Sequence, residues 1–169
     1  MTQLPFEAVI DRHGEDVWRF AASQVGVDRA DDVFQETMLA ALSAYPSLRD
    51  PGVVRSWLLR IAARKAIDLF RAAARVPVPV AEPDPGAAPE PARHDDELWG
   101  QVRSLPPKQR QAVALRFVLD LSHEEIGAAM DTTAQAARRN VFQALRTLRG
   151  RLDATSAAFP DDEPGASDP

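Results

Sequence analysis

The sequence contains no cysteine, which excludes disulfide bridges, thiolate metal sites and thiol catalysis. Its three histidines, His13, His94 and His123, have no second ligand at metal-binding spacing, so neither a metal nor another cofactor is expected. No apolar run approaches the length of a membrane span, and charged residues interrupt the first twenty positions, where a signal peptide would be apolar. These absences are typical of a cytoplasmic protein.

The sequence patterns of an enzyme are missing as well. The chain has no glycine-rich phosphate loop, no nucleophile with a histidine and an acid to activate it, and no paired carboxylates beside an apolar segment. It also lacks the period-two alternation of hairpin strands and any repeat of twenty to fifty residues. We therefore expect an all-α protein that is not an enzyme.

Charge is distributed in alternating blocks. The whole chain has a formal net charge of -5. Residues 51–75 hold six basic residues and one acidic residue, and residues 98–151 hold nine basic and four acidic residues. The segments 1–50, 76–97 and 152–169 each carry an excess of five acidic residues. Two basic blocks in a chain that is otherwise acidic predict two surfaces for a polyanion.

A proline-rich segment divides the chain. VPVPVAEPDPGAAPEP, from Val76 to Pro91, excludes helix and central strand and is predicted to be a semi-stiff linker. Before it, apolar residues spaced by three and four predict three helices, the last over 53–75. After it, the same spacing predicts helices over 95–104 and 107–118. The predicted apolar faces include Leu39, Leu42, Phe117 and Leu145. The tryptophans Trp18, Trp57 and Trp99 are expected in the core, although Trp57 could instead stack on an unpaired base.

A short helix, a tight turn and a longer helix follow near the C-terminus. Ser122-His123-Glu124-Glu125 is a capping box that starts the first helix, and Asp131-Thr132-Thr133 caps the second, predicted over 134–151. In such a helix-turn-helix the second helix enters the major groove of DNA. The pattern alone is weak, because its arginines could equally form a solvated face. The candidate DNA contacts are Gln135, Arg138, Arg139, Phe142 and Gln143, with Asn140 among them.

Three longer segments make the prediction specific. LPPKQRQAVALRFVLDLSHEEIGAAM resembles region 4 of the extracytoplasmic-function sigma factors of bacterial RNA polymerase, which reads the -35 promoter element. DDVFQETMLAAL and SWLLRIAARKAIDLFRAAAR resemble the polymerase-binding helix and the -10 helix of region 2 in the same family. The resemblance implies two small helical domains, region 2-like over 1–75 and region 4-like over 95–152. A linker over 76–94 joins them, and an acidic, disordered tail follows over 153–169.

The resemblance also implies the surfaces that bind promoter DNA and polymerase. The basic side chains of the -10 helix would hold the phosphates of the non-template strand, unless they form only a solvated face. The loop 43–54 corresponds to the loop that takes up a flipped -10 base. Asp32, Gln35 and Glu36 would meet the clamp helices of polymerase, although Asp31 and Asp32 could also be an acidic first turn that suits the helix dipole. The predicted -10 contacts are Arg60, Arg64, Lys65, Arg71 and Arg75.

The implied partners are core RNA polymerase, through its clamp helices and its flap, promoter DNA, and an anti-sigma factor. Two departures from the family pattern leave the promoter preference open: Lys65 stands where asparagine is common, and Ala136-Ala137 replaces a Thr-Val pair. The alternative function is a sigma-like decoy that binds an anti-sigma factor without engaging DNA. The two basic blocks favour the DNA-binding form, because a protein interface gains little from unpaired arginines.

Overall fold

The computed structural model describes residues 4–75 and 94–158, which form two helical halves. Within those residues there is no strand, so the predicted all-α class is confirmed. Short 3₁₀ turns at Tyr45–Ser47 and Pro51–Val53 join the second and third helices. The helices are α1 Phe6–Val25, α2 Val27–Ala44 and α3 Val54–Arg75 in the N-terminal half, and α4 His94–Arg103, α5 Pro107–Phe117, α6 His123–Ala129 and α7 Ala134–Ala158 in the C-terminal half.

The N-terminal half is a three-helix bundle in which α2 and α3 both pack on α1. Phe20 of α1 and Leu58 of α3 are fully buried at its centre, and each contributes about 1.5–3 kcal/mol through the apolar surface it removes from water. Gly26 is the single residue between α1 and α2. Its backbone φ of 87° is one that residues with a Cβ rarely adopt. This single residue therefore lets the chain turn sharply between the two helices.

In the C-terminal half, the helix-turn-helix of α6 and α7 packs on α5. The turn between α6 and α7 is tight, because the backbone nitrogen of Thr132 donates to the oxygen of Gly127 at 2.8 Å. A Cβ on Gly127 would lie 2.9 Å from the Thr132 oxygen and 3.0 Å from the Ala134 nitrogen. Asp131, in the same turn, has a φ of 55°. The close approach of the backbone thus requires a glycine at position 127.

The two halves pack against each other across a junction that is partly apolar and partly polar. One cluster of buried side chains runs through both halves, from Leu58 and Leu59 to Leu121 and Ile126. Polar groups bridge the halves as well: Gln24 Oε1, fully buried, accepts from Arg110 Nε at 3.3 Å. Water can form hydrogen bonds with these polar groups when the halves separate. A junction that is partly polar can therefore open.

Arg110 lies at the centre of the junction and is itself buried. Its Nη1 donates to the backbone oxygen of Arg103 at 2.7 Å, and its guanidinium carbon lies 4.2 Å from the ring centroid of Phe70 on α3. Burial lowers the pKa of Arg110 below its ordinary value. Beside it, Gln111 Nε2 donates to the backbone oxygen of Ala63 at 3.3 Å. None of these contacts between the halves was predicted from the sequence.

Several boundaries differ from those predicted. α2 begins at Val27, so Asp31 and Asp32 lie beyond its first turn, and the proposal that they form an acidic first turn is wrong. α7 continues to Ala158, so residues 153–158, predicted as tail, are helical. The linker residues 76–93 and the tail residues 159–169 lie outside the described part of the chain. The predicted capping box and the three helices before the linker are confirmed.

Four apolar residues predicted to face the core are exposed: Leu39, Leu42, Phe117 and Leu145. Leu39 lies two positions after the buried Thr37. Two residues correspond to a rotation of about 200° around the helix axis, so the Leu39 side chain points away from the bundle. Every residue of α5 from Arg110 to Leu115 is buried, so that helix has no single buried stripe, and its last residue, Phe117, turns outwards. The three tryptophans, Trp18, Trp57 and Trp99, are half-buried at the edges of the core clusters.

Candidate nucleic-acid interface

Two caps fix the geometry of the helix-turn-helix. Ser122 Oγ accepts from the Glu125 backbone nitrogen at 3.2 Å, and the Ser122 backbone nitrogen donates to Glu125 Oε2 at 2.8 Å. This hydrogen bonding lowers the pKa of the Glu125 carboxyl. Thr133 Oγ1 then accepts from the Ala136 nitrogen at 3.1 Å. The caps satisfy amide groups that the helix ends leave unpaired, so they hold the start of α7 at a fixed angle to α6.

The first half of α7 presents a polar and aromatic face to solvent, here called the reading face. Gln135, Arg138, Arg139 and Phe142 are all exposed, at the three- and four-residue spacing that places them on one side of a helix. Phe142 is 65% exposed, so its aromatic ring does not serve as part of the hydrophobic core. Gln143, also predicted as a DNA contact, is half-buried. The structure thus gathers four of the five predicted residues on one surface.

The predicted -10 residues of α3 lie in several environments. Arg64 is exposed and Arg60 is half-buried. Lys65 Nζ lies 3.1 Å from Glu36 Oε2, and Arg71 Nη1 lies 4.0 Å from Asp68 Oδ1. The side chain of Arg75 lies outside the described residues. The structure therefore does not gather the five predicted -10 cations on one free surface.

Arg60 contacts the helix-turn-helix directly. Its Nη2 donates to the backbone oxygen of Ala128 in α6 at 2.6 Å, and its Nη1 lies 3.6 Å from Asp131 Oδ1. Sequence reasoning missed both partners, because the 68-residue separation of Arg60 and Ala128 leaves no local pattern. Arg55, one turn earlier on α3, makes a similar bridge, with Nε 2.7 Å from Asp16 Oδ2 and Nη2 3.4 Å from the oxygen of Leu119.

Cationic groups from both halves line one cleft of about 430 Å³ between α3 and the helix-turn-helix. Arg60 and Arg64 line it on the α3 side, and Lys108 of α5 and Arg139 of α7 line it on the other side. Asp131 is the carboxylate in its lining. The cleft thus joins part of the predicted -10 surface to part of the predicted -35 surface.

The predicted polymerase-binding residues Asp32, Gln35 and Glu36 are all exposed on α2. Leu39 and Leu42 continue the same side of the helix at spacings of three and are 59% and 53% exposed. The result is one strip, here called the α2 strip, with an acidic end and an apolar end. The sequence indicated the acidic end and wrongly assigned the apolar end to the core.

A second apolar surface, which the sequence did not reveal, is a groove of about 600 Å³ in the C-terminal half. It lies between α4, α5 and α7, and Phe117 is the most exposed apolar side chain in its lining, at 63%. Single exposed apolar residues are common, but a contiguous groove of them marks an interaction surface. This groove, here called the apolar groove, is lined mainly by Leu98, Trp99, Val102, Phe117, Val118, Leu145, Leu148 and Leu152.

The loop predicted to take up a flipped base, 43–54, is held by hydrogen bonds within the loop and to the residue that precedes Pro5 and α1. Asp50 Oδ1 accepts from the Gly52 nitrogen at 2.8 Å, and Tyr45 Oη donates to the backbone oxygen of Leu4 at 2.8 Å. Among the residues that the structure describes, no three histidine, aspartate or glutamate side chains form a group that could hold a metal ion. No helix within the described ranges is long and apolar enough to cross a membrane.

Two family models match the chain, one in each half. Residues 9–76 match Sigma-70 region 2, and residues 95–148 match Sigma-70, region 4. The RNA polymerase sigma factor SigV of Bacillus subtilis is 30% identical over 146 residues, covering 85% of this chain and 88% of that protein. The ECF RNA polymerase sigma factor SigD of Mycobacterium tuberculosis is 37% identical over 151 residues, covering 80% of this chain and 71% of that protein.

Two solved structures share the fold. CnrH in complex with the cytosolic domain of CnrY has a TM-score of 0.67 and 26% identity, covering 88% of each chain. The sigma factor RpoE in complex with the anti-sigma factor NepR from Bartonella quintana has a TM-score of 0.70 and 20% identity, covering 88% of this chain and 96% of that one.

Proposed function

The chain belongs to the extracytoplasmic-function sigma factors of the sigma-70 family, and from this premise we propose which of its surfaces carry that function. A sigma factor binds core RNA polymerase and directs transcription initiation at promoters, and this is the function of the chain. The assignments of residues to DNA, polymerase and regulator are our proposals. We assign the chain no catalytic role of its own, and we place it in the cytoplasm with the polymerase.

The reading face of α7 recognises the -35 element. The observation that carries this proposal is the exposure of Gln135, Arg138, Arg139 and Phe142 on one side of the second helix of a capped helix-turn-helix. Arginine can bind guanine with two hydrogen bonds, glutamine can bind adenine in the same way, and an aromatic ring can contact a thymine methyl group. A decoy that only bound an anti-sigma factor would not need exposed arginines here, so the face favours DNA binding.

The basic side chains of α3 hold the non-template strand at the -10 element. Arg64 is free to do so in the observed arrangement, whereas Arg60 is bound to α6 and Lys65 to Glu36. Phosphate contacts of this kind position the DNA without reading its sequence. The loop 43–54 then takes up the flipped base, because extrusion exposes the edge of a base for reading.

The two halves must separate before both elements are bound. The -10 and -35 elements lie about 25 base pairs apart, which is about 85 Å along DNA at about 3.4 Å per base pair. In the structure Arg60 and Asp131, one from each half, are 3.6 Å apart. The 19-residue linker predicted over 76–94 can span at most about 65 Å. This length, added to the dimensions of the two halves, is enough to cover the distance between the two promoter elements. Binding to polymerase supplies the free energy to part them.

The α2 strip and the apolar groove bind polymerase. The strip joins carboxylates to exposed leucines, a combination suited to a helical partner with basic and apolar side chains, and we assign it to the clamp helices. The apolar groove can receive the apolar face of a helix, and we assign it to the flap. The two contacts lie on opposite halves, so a partner that binds both holds the halves at a fixed separation.

An anti-sigma factor is the proposed regulator. CnrH and RpoE, which share this fold, were each solved with a protein partner, the cytosolic domain of CnrY and the anti-sigma factor NepR. In the described part of this chain, the α2 strip and the apolar groove are two exposed apolar surfaces that such a partner could bind. A protein bound there would compete with polymerase. Co-purification from the native host tests for it.

Transcription in vitro tests the proposed function. The chain added to core polymerase is expected to give specific transcripts from its promoters. The double substitution of Arg138→Ala and Arg139→Ala removes two groups able to form charged hydrogen bonds, each worth about 1.5–3 kcal/mol, and should reduce initiation at least tenfold only where a -35 element is needed. Wild-type protein that binds no core polymerase would contradict the function.

A further inference from the structure

The cleft between α3 and the helix-turn-helix has an excess of positive charge that the described structure does not neutralise. Arg60, Arg64, Lys108 and Arg139 line it, and Asp131 is the carboxylate among its lining residues. Asp131 is already paired with Arg60 at 3.6 Å. In the described part of the chain, the other three cations have no carboxylate within 4.0 Å. Lys65, on the same helix, is paired with Glu36.

A second observation comes from Arg60. Its Nε is buried and has no hydrogen-bond partner, although both of its terminal nitrogens contact the C-terminal half. Leaving a buried donor of a charged group unsatisfied is costly, so the packed arrangement carries an energetic penalty at Arg60. The packing of the halves also brings like charges from α3, α5 and α7 into one space, where they repel each other. An anion in the cleft offsets this repulsion and so stabilises the packed arrangement.

We propose that this cleft binds a small anion with several phosphate groups, which bridges α3 to α5 and α7 and holds the two halves together. Guanidinium groups bind phosphate oxygens through paired hydrogen bonds, and a lysine adds a mobile point charge. The volume of about 430 Å³ falls within the range of small-ligand sites, about 300–1,000 Å³. Asn140, also in the lining, offers a neutral donor beside Arg139.

The site gives the free protein a regulatory input. A ligand that binds only when the halves are packed stabilises that arrangement by an amount that rises with the logarithm of its concentration once the site is largely occupied. Arg60, Arg64 and Arg139 are also proposed promoter contacts, so the anion and DNA would compete for them. This competition rests on the proposed function, whereas binding of the anion does not, so the experiment below uses neither DNA nor polymerase.

Titration calorimetry of the full chain with inorganic tripolyphosphate tests the site, with sodium chloride adjusted to keep the ionic strength constant. Saturable binding and a raised melting temperature are expected. Lys108→Gln and Arg139→Gln should each weaken binding about tenfold, the effect of losing one charged hydrogen bond. Arg138→Gln, one residue away and outside the cleft, should leave it unchanged. Circular dichroism checks that each variant is folded.

Two results would overturn the proposal: no saturable binding by the wild-type chain, or equal weakening by Arg138→Gln and Arg139→Gln, which would mean unspecific attraction to a basic surface. A parallel titration with ATP separates two sources of the same chemistry. Equal affinity for ATP and tripolyphosphate identifies the phosphate chain as the whole determinant. Tighter binding of ATP shows that the nucleoside contributes as well, and both results keep the phosphate-anion site.

Discussion

Arg60 donates a hydrogen bond of 2.6 Å from Nη2 to the backbone oxygen of Ala128, so a cation proposed to hold promoter DNA is bound to the helix-turn-helix of the other half. The same side chain lies 3.6 Å from Asp131 in the turn that leads to the reading face. These contacts link the two proposed DNA-binding surfaces to each other. If both surfaces bind DNA as proposed, Arg60 must be released before a promoter complex forms.

Replacing Asp131 tests this link. Asp131→Asn removes the charge but tolerates the φ of 55° at this position, since asparagine adopts the left-handed conformation readily. A half-exposed ion pair is worth only about 0.2–1 kcal/mol, a factor of about 1.4 to 5 in an equilibrium constant, so single-stranded -10 DNA should bind the free protein more tightly by at most about fivefold. Fluorescence anisotropy with a labelled oligonucleotide measures this.

The matched control is Asp120→Asn. Asp120 also has a positive φ, 51°, and pairs with Arg116 at 3.4 Å, but that pair lies within one half. Its replacement should leave binding of -10 DNA unchanged. If both variants bind this DNA equally, the Arg60 contact does not restrain it.

Gly127→Ala tests the tight helix-turn-helix. The added Cβ would lie 2.9 Å from the Thr132 oxygen, and backbone atoms cannot move aside as a flexible side chain can. We expect a loss of about 1–3 kcal/mol in the free energy of unfolding, the usual cost of overpacking, together with weaker binding of -35 DNA. Urea denaturation measures the first effect.

Gly150→Ala is the control for that substitution. A Cβ at Gly150, in α7, meets nothing within 4 Å, so alanine should raise stability by about 0.5–1 kcal/mol through its better helix propensity. Equal stability of the two variants would show that the turn does not need a glycine.

Ser122→Ala tests the capping box and its dependence on pH. Loss of the serine hydroxyl should lower the free energy of unfolding by about 0.5–2 kcal/mol. Because the pKa of Glu125 is lowered from 4.5 in the folded state, its contribution is present above that value and disappears as the pH falls through the folded pKa. Ser122 Oγ contributes to that lowered pKa together with the Ser122 backbone nitrogen, which alanine keeps, so the stability difference between wild type and Ser122→Ala should narrow in acid without vanishing. Urea denaturation at several pH values would contradict this if the difference stayed constant.

Leu39→Arg tests the α2 strip. Leu39 is 59% exposed, so the substitution should change stability by less than about 0.5 kcal/mol. Binding of core polymerase, followed by fluorescence polarisation, should weaken at least tenfold if the residue is buried in that interface. Val27→Arg, at a residue 67% exposed but at the start of the helix, should bind normally. An unaffected Leu39→Arg variant would remove the α2 strip from the interface.

The local features of the fold were predictable from the sequence. Helix caps act over three or four residues, and the Ser122–Glu125 box and the Thr133 cap appear in the structure as predicted. Helical periodicity also identified most of the buried positions, such as Phe20 and Leu58. These features depend on near neighbours, which a single sequence contains.

The surfaces and the junction were not predictable in the same way. Helical periodicity shows that Leu39 and Phe117 lie on apolar positions. It does not show whether they pack within this chain or against another protein, so both were wrongly assigned to the core. The contacts of Arg60 with Ala128 and of Arg110 with Gln24 join residues 68 and 86 positions apart. Only the packing of the halves brings them together.

The two halves, packed together in the free chain, are proposed to separate on polymerase so that both promoter elements are reached. Since the sequence has no cysteine, a pair of labels at Ala44→Cys and Gly150→Cys, both exposed and one in each half, reports the separation by single-molecule energy transfer. We expect the distance between the labels to increase by several tens of ångströms when the free protein joins polymerase and promoter DNA, given the roughly 85 Å between the elements. An unchanged distance in a complex that transcribes would contradict it.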